Sequence, residues 1–209
     1  MVPQTLSGSN VGLAENAGSS RLARLLIAAS PASEDSRQLL SLEGSSVHTM
    51  PFWDEIVAER ARGYPSVQWR AEHIDALAAK VVLDPASFDV IVASNLFGDI
   101  LSDLAAAVAG SIGMAPSANL NPTGELPSMF EPVHGSAPDI ACDGIANPIG
   151  AIWSAAMMLE HLGGHPEATA EVLTAIRQCL KSKQTLTRDL GGTASTAELT
   201  KSVIEQIRA

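Results

Sequence analysis

Asp99 and Asp103 stand four residues apart in the run NLFGDILSDL, Asn95 to Leu104, which is otherwise almost entirely apolar. On a helix such a pair shares one face, and two like charges there repel each other weakly. A divalent cation held by both carboxylates replaces that repulsion with attraction. Mg²⁺ and Mn²⁺ take oxygen ligands in octahedral geometry, usually a few carboxylates completed by water and substrate. Asp75, inside the mostly apolar run HIDALAAKVV, offers a third such oxygen donor. Acids at this spacing also occur as solvent-facing residues or helix caps, and spacing alone does not choose between these readings.

A second concentration of chemistry is EPVHGSAPDI, Glu131 to Ile140. His134 is placed to contact a ligand there, and Asp139 to accept hydrogen bonds from a ribose; an ordinary structured turn is the alternative. Neither G-x-G-x-x-G nor G-x-x-x-x-G-K-[ST] occurs, so the two common nucleotide fingerprints are missing. A serine-hydrolase reading finds no G-x-S-x-G elbow. His48, His73, His161 and His165 are scattered and form no zinc spacing. Cys142 and Cys179 lie far apart, in no C-x-x-C pattern, which points to a reducing compartment without a disulfide framework.

The elements that must position these residues can be read from periodicity. FDVIVAS, Phe88 to Ser94, is a continuous apolar run expected as a strand covered on both faces. The aspartate pair follows it in a predicted helix, DILSDLAAAVAGSIG, and strand-to-helix junctions of open sheets are frequent ligand sites. Upstream, LLSLEGSS predicts a short strand and turn. FWDEIVAERARG predicts a helix with Trp53, Ile56 and Val57 on one face and Gly63 as its stop. VQWRAE is strand-like, and HIDALAAKVVLDP reads as a helix ended by Pro85. The stretch MAPSANLNPTGELPSMFEPVHGSAPD, dense in Pro, Gly, Ser and Asn, is expected as one long functional loop. Asn147-Pro148 supplies an N-cap and a first-turn proline for a following helix. Another helix is expected from Pro166 to about Lys181, and Ser195 with Glu198 forms a capping box for a last one. Alternating strands and helices give an α/β class.

The chain has 209 residues, 46% of them apolar and 17% charged, enough for a substantial core. Its net charge of −10 argues against nucleic-acid and anionic membrane surfaces, which attract clustered Lys and Arg. No apolar run approaches the roughly 20 residues that span a bilayer. RLARLLIAASPAS, from Arg21, fits an amphipathic helix better than a signal peptide because it starts late and its apolar centre is short. A soluble, cytoplasmic protein is expected, with residues 1–19 as a loose leader and helical character from about Ser20.

Three segments in order, NLFGDILSDLAAAVAGSIGMAPSANLN, FEPVHGSAPDI and GIANP, resemble the metal-dependent β-decarboxylating dehydrogenases. That family includes isopropylmalate, isocitrate, and tartrate or D-malate dehydrogenases; MPFWDEIVAE from Met50 and SANLNP from Ser117 look most like the tartrate/D-malate branch. The resemblance implies the isopropylmalate dehydrogenase-like α/β fold rather than a Rossmann fold. Residues 20–115 would form mainly the smaller, dimer-forming domain, and 116–209 the C-terminal half of the larger, cofactor-binding domain. It implies Asp99 and Asp103 as ligands of Mg²⁺ or Mn²⁺, with Asp75 reaching the metal of a partner subunit. Glu131, His134, Gly135, Ser136, Ala137, Asp139 and Asn147 match the nicotinamide-dinucleotide loop, and Asp139 implies NAD rather than NADP. The implied substrate is a small 2-hydroxy acid of the D-malate, tartrate or 3-isopropylmalate class, and the implied assembly a homodimer or a pairing with a full-length homologue.

The resemblance also exposes departures. Family chains are longer at the N-terminus, where they carry the substrate-binding arginines and a proton-transferring tyrosine, so this chain is expected to be truncated there. The only tyrosine, Tyr64 in RGYPSVQW, does not match that one. The family's lysine falls at Leu42 or Glu43, and the first lysine of the chain is Lys80. A glutamate there removes a proton donor and adds negative charge near the metal-binding carboxylates. No catalytic acid or base is therefore identified. Two readings stay open: an NAD- and metal-dependent oxidative decarboxylase, or a non-catalytic truncated homologue that binds metal or nucleotide or pairs with a complete relative. Strands missing from the larger domain would leave open sheet edges and exposed apolar surface.

Overall fold

The computed structural model describes residues 11–12, 38–43, 49–65, 67–88, 90–121 and 124–208. These divide into two compact units, one running to Val108 and the other from Ala109 onward together with Val11 and Gly12.

In the first unit, β2 (Gln38–Glu43), β3 (Gln68–His73) and β4 (Val90–Val92) form a parallel sheet in the order β3-β2-β4, with the two-residue strand β1 (Val11–Gly12) belonging elsewhere. Leu39 pairs with Trp69 on one side and Val90 on the other. Helix α1 (Thr49–Ala61) buries Val57 and Ala61, with Trp53 and Ile56 half-buried beside them, and ends where the Gly63 N–H bonds the Arg60 carbonyl. Helix α2 (Ile74–Leu83) buries Leu77 and Val81, one turn apart, and stops before Pro85 as the Asp84 N–H returns to the Lys80 carbonyl. Those two residues, Ala93 and Leu101 form the core, with Phe88, Ile91, Phe97 and Leu104 packed around them. Fully burying an aliphatic side chain of this size contributes about 1.5–3 kcal/mol.

Two boundaries differ from the sequence reading. Among the described residues, the strand expected from Phe88 to Ser94 is hydrogen-bonded over Val90–Val92, while Pro85–Ser87 form a turn of 3₁₀ helix and Phe88 packs against the core. Helix α3 (Asn95–Ala109) starts four residues before Asp99, so the aspartate pair lies one turn inside the helix instead of at its head.

In the second unit, β1, β5 (Pro116–Asn119) and β6 (Met129–Pro132) form a sheet in that order, β1 parallel and β6 antiparallel to β5. The stretch expected as one long loop thus contains a pair of strands. Neither strand carries a β-branched residue; β5 buries alternate residues, Pro116 and Ala118, and its pairing with β6 makes the two of them strands. Three helices follow: α4 (Ile149–His161), α5 (Pro166–Ser182) and α6 (Thr196–Ile207). Ile149, Ala175, Ile176, Cys179, Leu199 and Val203 form their shared core. Gly150 lets α4 approach closely, since a Cβ there would lie 2.9 Å from the Gly113 carbonyl oxygen and 3.2 Å from Pro132. The predicted capping box is present. The helix expected to start with Asn147 as cap and Pro148 in its first turn begins one residue later, at Ile149, with Asn147 still bonding its first N–H. Asn147 Oδ1 accepts the Ile149 N–H at 2.9 Å, and Ser195 and Glu198 form a reciprocal capping box.

The expected leader, apart from β1, and the helix expected near Ser20 lie outside the described residues. No helix among the described residues is long and apolar enough to cross a membrane.

Candidate functional site

The strands of the first unit are all parallel, so their carboxyl ends share one edge of the sheet. From β2 the chain goes first to β3 on one side and then to β4 on the other, which puts a change of direction between β2 and β4. Open α/β sheets bind ligands outside such an edge, at such a switch. Leu42 and Glu43 are the last two residues of β2, in register with Glu72 and His73. Leu42 and Glu43, where the family resemblance puts its lysine, are therefore at this edge. Lys80, in α2, reaches the same strand end, its Nζ 2.5 Å from Glu72 Oε1 in an ion pair.

Helix α3 has two faces. Phe97, Leu101, Leu104 and Ala105 turn inward at helical spacing, whereas Leu96 (64% exposed), Asp99, Ile100 (51% exposed) and Asp103 are open to solvent. Neither aspartate carboxylate forms an ion pair or hydrogen bond among the described residues. Two adjacent carboxylates with all their lone pairs unused are a fitting partial ligand set for a hard divalent cation. Asp75 is also exposed, in the first turn of α2, with Oδ1 accepting the Ala76 N–H at 2.8 Å. It does not join the other two: among the described residues no three His, Cys, Asp or Glu side chains are grouped to hold a metal.

In the second unit, Glu131 is exposed on β6, and the chain then runs through His134, Gly135, Ser136, Ala137 and Asp139 to Asn147. His134 Nδ1 lies 3.0 Å from the Gly135 carbonyl. Ala137 is left-handed (φ 41°, ψ 63°), a costly conformation for a residue with a Cβ, and turns the chain into one 3₁₀ turn, Pro138–Ile140, with Asp139 exposed in it. Gly135 through Asp139 are all exposed, with the acidic Asp139 among them.

Asn147 is different. It is buried, and both ends of its amide are engaged: Oδ1 with the Ile149 N–H, and Nδ2 donating to Asp189 Oδ2 at 2.8 Å. The same carboxylate oxygen accepts the Ser111 hydroxyl, whose Oγ in turn accepts the Gly113 N–H at 3.0 Å. A Cβ on Gly113 would lie 2.9 Å from that of Asn147, so the knot requires glycine there. Partial burial raises the Asp189 pKa, but hydrogen bonds from Asn147 and Ser111 outweigh it and hold the carboxyl below its ordinary value. The Thr187 hydroxyl acts in the same sense, although its geometry falls short of a formed hydrogen bond. Asp189 and Ser111 are absent from the sequence reading. An acid inside a Thr-x-Asp-x-Gly-Gly turn, Thr187 to Gly192, was the available signal.

Residues 2–207 match the isocitrate/isopropylmalate dehydrogenase family. The chain belongs to that family. It is 54% identical over 161 residues to a probable tartrate dehydrogenase/decarboxylase of Bacillus subtilis, covering 77% of this chain and 45% of that one. It is 50% identical over 163 residues to the decarboxylating D-malate dehydrogenase of Escherichia coli, covering 76% and 45%. Among solved structures, isocitrate dehydrogenase from Methylococcus capsulatus superposes with a TM-score of 0.85 at 36% identity, covering 92% of this chain and 56% of that one. This family member thus lies near the tartrate/D-malate dehydrogenase branch and spans about half the length of the curated relatives it matches.

Proposed function

We propose that this family member carries the metal and dinucleotide sites of an NAD-dependent oxidative decarboxylase acting on a 2-hydroxy acid of the D-malate, tartrate or 3-isopropylmalate class. The observation that supports it most is the face of α3, where Asp99 and Asp103 are exposed side by side with no cation from the described residues to balance them. Asp99 and Asp103 hold Mg²⁺ or Mn²⁺, and Asp75 serves the site of a second subunit, which accounts for its separation from the pair within one chain. Bound there, the ion supplies Lewis acidity to the substrate's hydroxyl and to the ketone derived from it. His134 and the exposed residues Gly135 to Asp139 would hold NAD, which would supply a hydride acceptor there. The Asp139 carboxylate accepts from ribose hydroxyls and repels a ribose phosphate, which favours NAD over NADP. Asn147 contributes from the loop's far end.

Leu42 and Glu43 at the end of β2 favour a second reading. Neither side chain offers the cationic ammonium of a lysine, so in this reading the chain would bind metal and nucleotide without turnover, or pair with a complete homologue.

One experiment separates the two. NADH formation is followed with purified chain, Mn²⁺, NAD⁺ and D-malate or tartrate, beside an Asp99→Asn/Asp103→Asn variant. Turnover that vanishes in the variant supports the decarboxylase. A folded chain that binds NAD⁺ but turns over none of the 2-hydroxy acids supports the non-catalytic reading, and co-purification with a full-length dehydrogenase would strengthen it.

A further inference from the structure

We propose that Asp189 is the positioning residue of the dinucleotide loop, fixing the loop's C-terminal arm through Asn147 so that the loop meets NAD in a set shape. The inference rests on the dinucleotide reading of residues 131–147.

The loop leaves β6 and returns to the unit's core only at α4, and between these points the side chains from Gly135 to Asp139 are exposed. Its return is tied at three places by residues distant in sequence. Asn147 Nδ2 donates to Asp189 Oδ2 at 2.8 Å across 42 positions. Thr196 Oγ1 donates to the Ala146 carbonyl at 2.5 Å, and the Thr196 N–H to the Gly144 carbonyl at 2.8 Å. The segment 187–196 therefore clasps the arm 144–147 from outside.

Within that clasp Asp189 does what a neutral side chain cannot. An amide can flip, exchanging its donor and acceptor ends. A carboxylate accepts only, so it forces Nδ2 of Asn147 toward itself and leaves Oδ1 for the Ile149 N–H. That choice sets where α4 begins and where the loop ends. The Ser111 hydroxyl, donating to the same oxygen, anchors the carboxylate to the chain just after α3. The Asp189 pKa lies below its ordinary value, consistent with a carboxylate kept ionised by its donors.

The experiment measures NAD⁺ and ADP-ribose affinity by isothermal titration, and amide hydrogen exchange across 144–149, in the full chain and in Asp189→Ala and Asp189→Asn variants. Mn²⁺ binding serves as a control. The expected result is affinity about tenfold weaker in Asp189→Ala for both nucleotides, a loss on the scale of one part-buried charged hydrogen bond. Exchange at 144–149 should be faster, with Mn²⁺ binding unchanged, and Asp189→Asn should fall between the two. Should Asp189→Ala fail to fold, the near-isosteric Asp189→Asn decides by the same criteria. Wild-type affinity in the variants, whether or not exchange quickens, overturns the positioning role and leaves the dinucleotide reading standing. A wild-type chain that binds neither nucleotide overturns both.

Discussion

Asp99 and Asp103 on α3 and Asp189 in its turn carry the same functional group in opposite circumstances. The α3 pair is exposed and, among the described residues, unpaired; Asp189 accepts two side-chain donors and is held by the chain around it. An unpaired carboxylate keeps its lone pairs for an incoming ion, and its neighbour's repulsion is a standing reason to bind one. A carboxylate already saturated on one oxygen organises its own protein. The difference separates groups kept for a ligand from groups that shape the site around it, and no list of acidic residues makes that distinction.

The sharpest way to break the comparison is to neutralise each kind of acid in turn. Asp99→Asn/Asp103→Asn should weaken Mn²⁺ binding by more than about 100-fold, because both charged ligands are lost. Without metal the same variant should unfold no more readily than wild type, since a like-charge pair on one helix face has been removed. Titration with Mn²⁺ read by electron paramagnetic resonance, and thermal unfolding in EDTA, check the two halves. Equal Mn²⁺ affinity in the double variant would place the metal elsewhere.

A second pair of variants contrasts apolar side chains. Leu199→Ala empties part of the second unit's core and should cost about 2–5 kcal/mol in urea unfolding. Ile100→Ala, beside the metal pair and 51% exposed, should stay within about 0.5 kcal/mol. A loss at Ile100 comparable to that at Leu199 would show the α3 face covered by another subunit in solution.

What could be read in the sequence follows the same division. Local patterns were legible: the capping box at Ser195 and Glu198, the Asn147-Pro148 entry to α4, the helix from Pro166, the inward face of α1 and the end of α2 before Pro85 all follow from spacing within a few residues. Strands made by long-range pairing were not. β5 and β6 lack β-branched residues, so only their partners mark them. The exposed aspartates stood out because two acids in an apolar run are conspicuous. Asp189 did not, because what makes it important is contact with Ser111 and Asn147, 78 and 42 positions away.

Ser195 gives a milder test on the clasp side. Its hydroxyl accepts the Glu198 N–H at 3.2 Å, and Glu198 returns to the Ser195 N–H at 2.8 Å. Ser195→Ala should destabilise the chain by about 1 kcal/mol. Hydrogen exchange should quicken at the first turn of α6 and, through Thr196, at Gly144 to Ala146, while Mn²⁺ binding holds.

The smallest expected effect is on the pH dependence of stability, and its sign follows from the Asp189 contacts. The folded chain holds this carboxyl below its ordinary value, so folding is favoured by the ionised form. That contribution is complete above the unfolded-state pKa of about 4 and is lost as pH falls through the lower folded value. The unfolding midpoint of wild type should therefore drop on acidification through this window more than that of Asp189→Asn, with the two curves converging at the acid end. Glu198, also lowered by its bonds to Ser195, contributes in the same direction, so the comparison is cleanest in a Glu198→Gln background. Because Asp189 is partly open to solvent, the difference should be modest, with surface charges screened as usual. Parallel curves for the two chains across the window would show that the knot needs the shape of Asp189 and not its charge, removing the reason for a carboxylate at that turn.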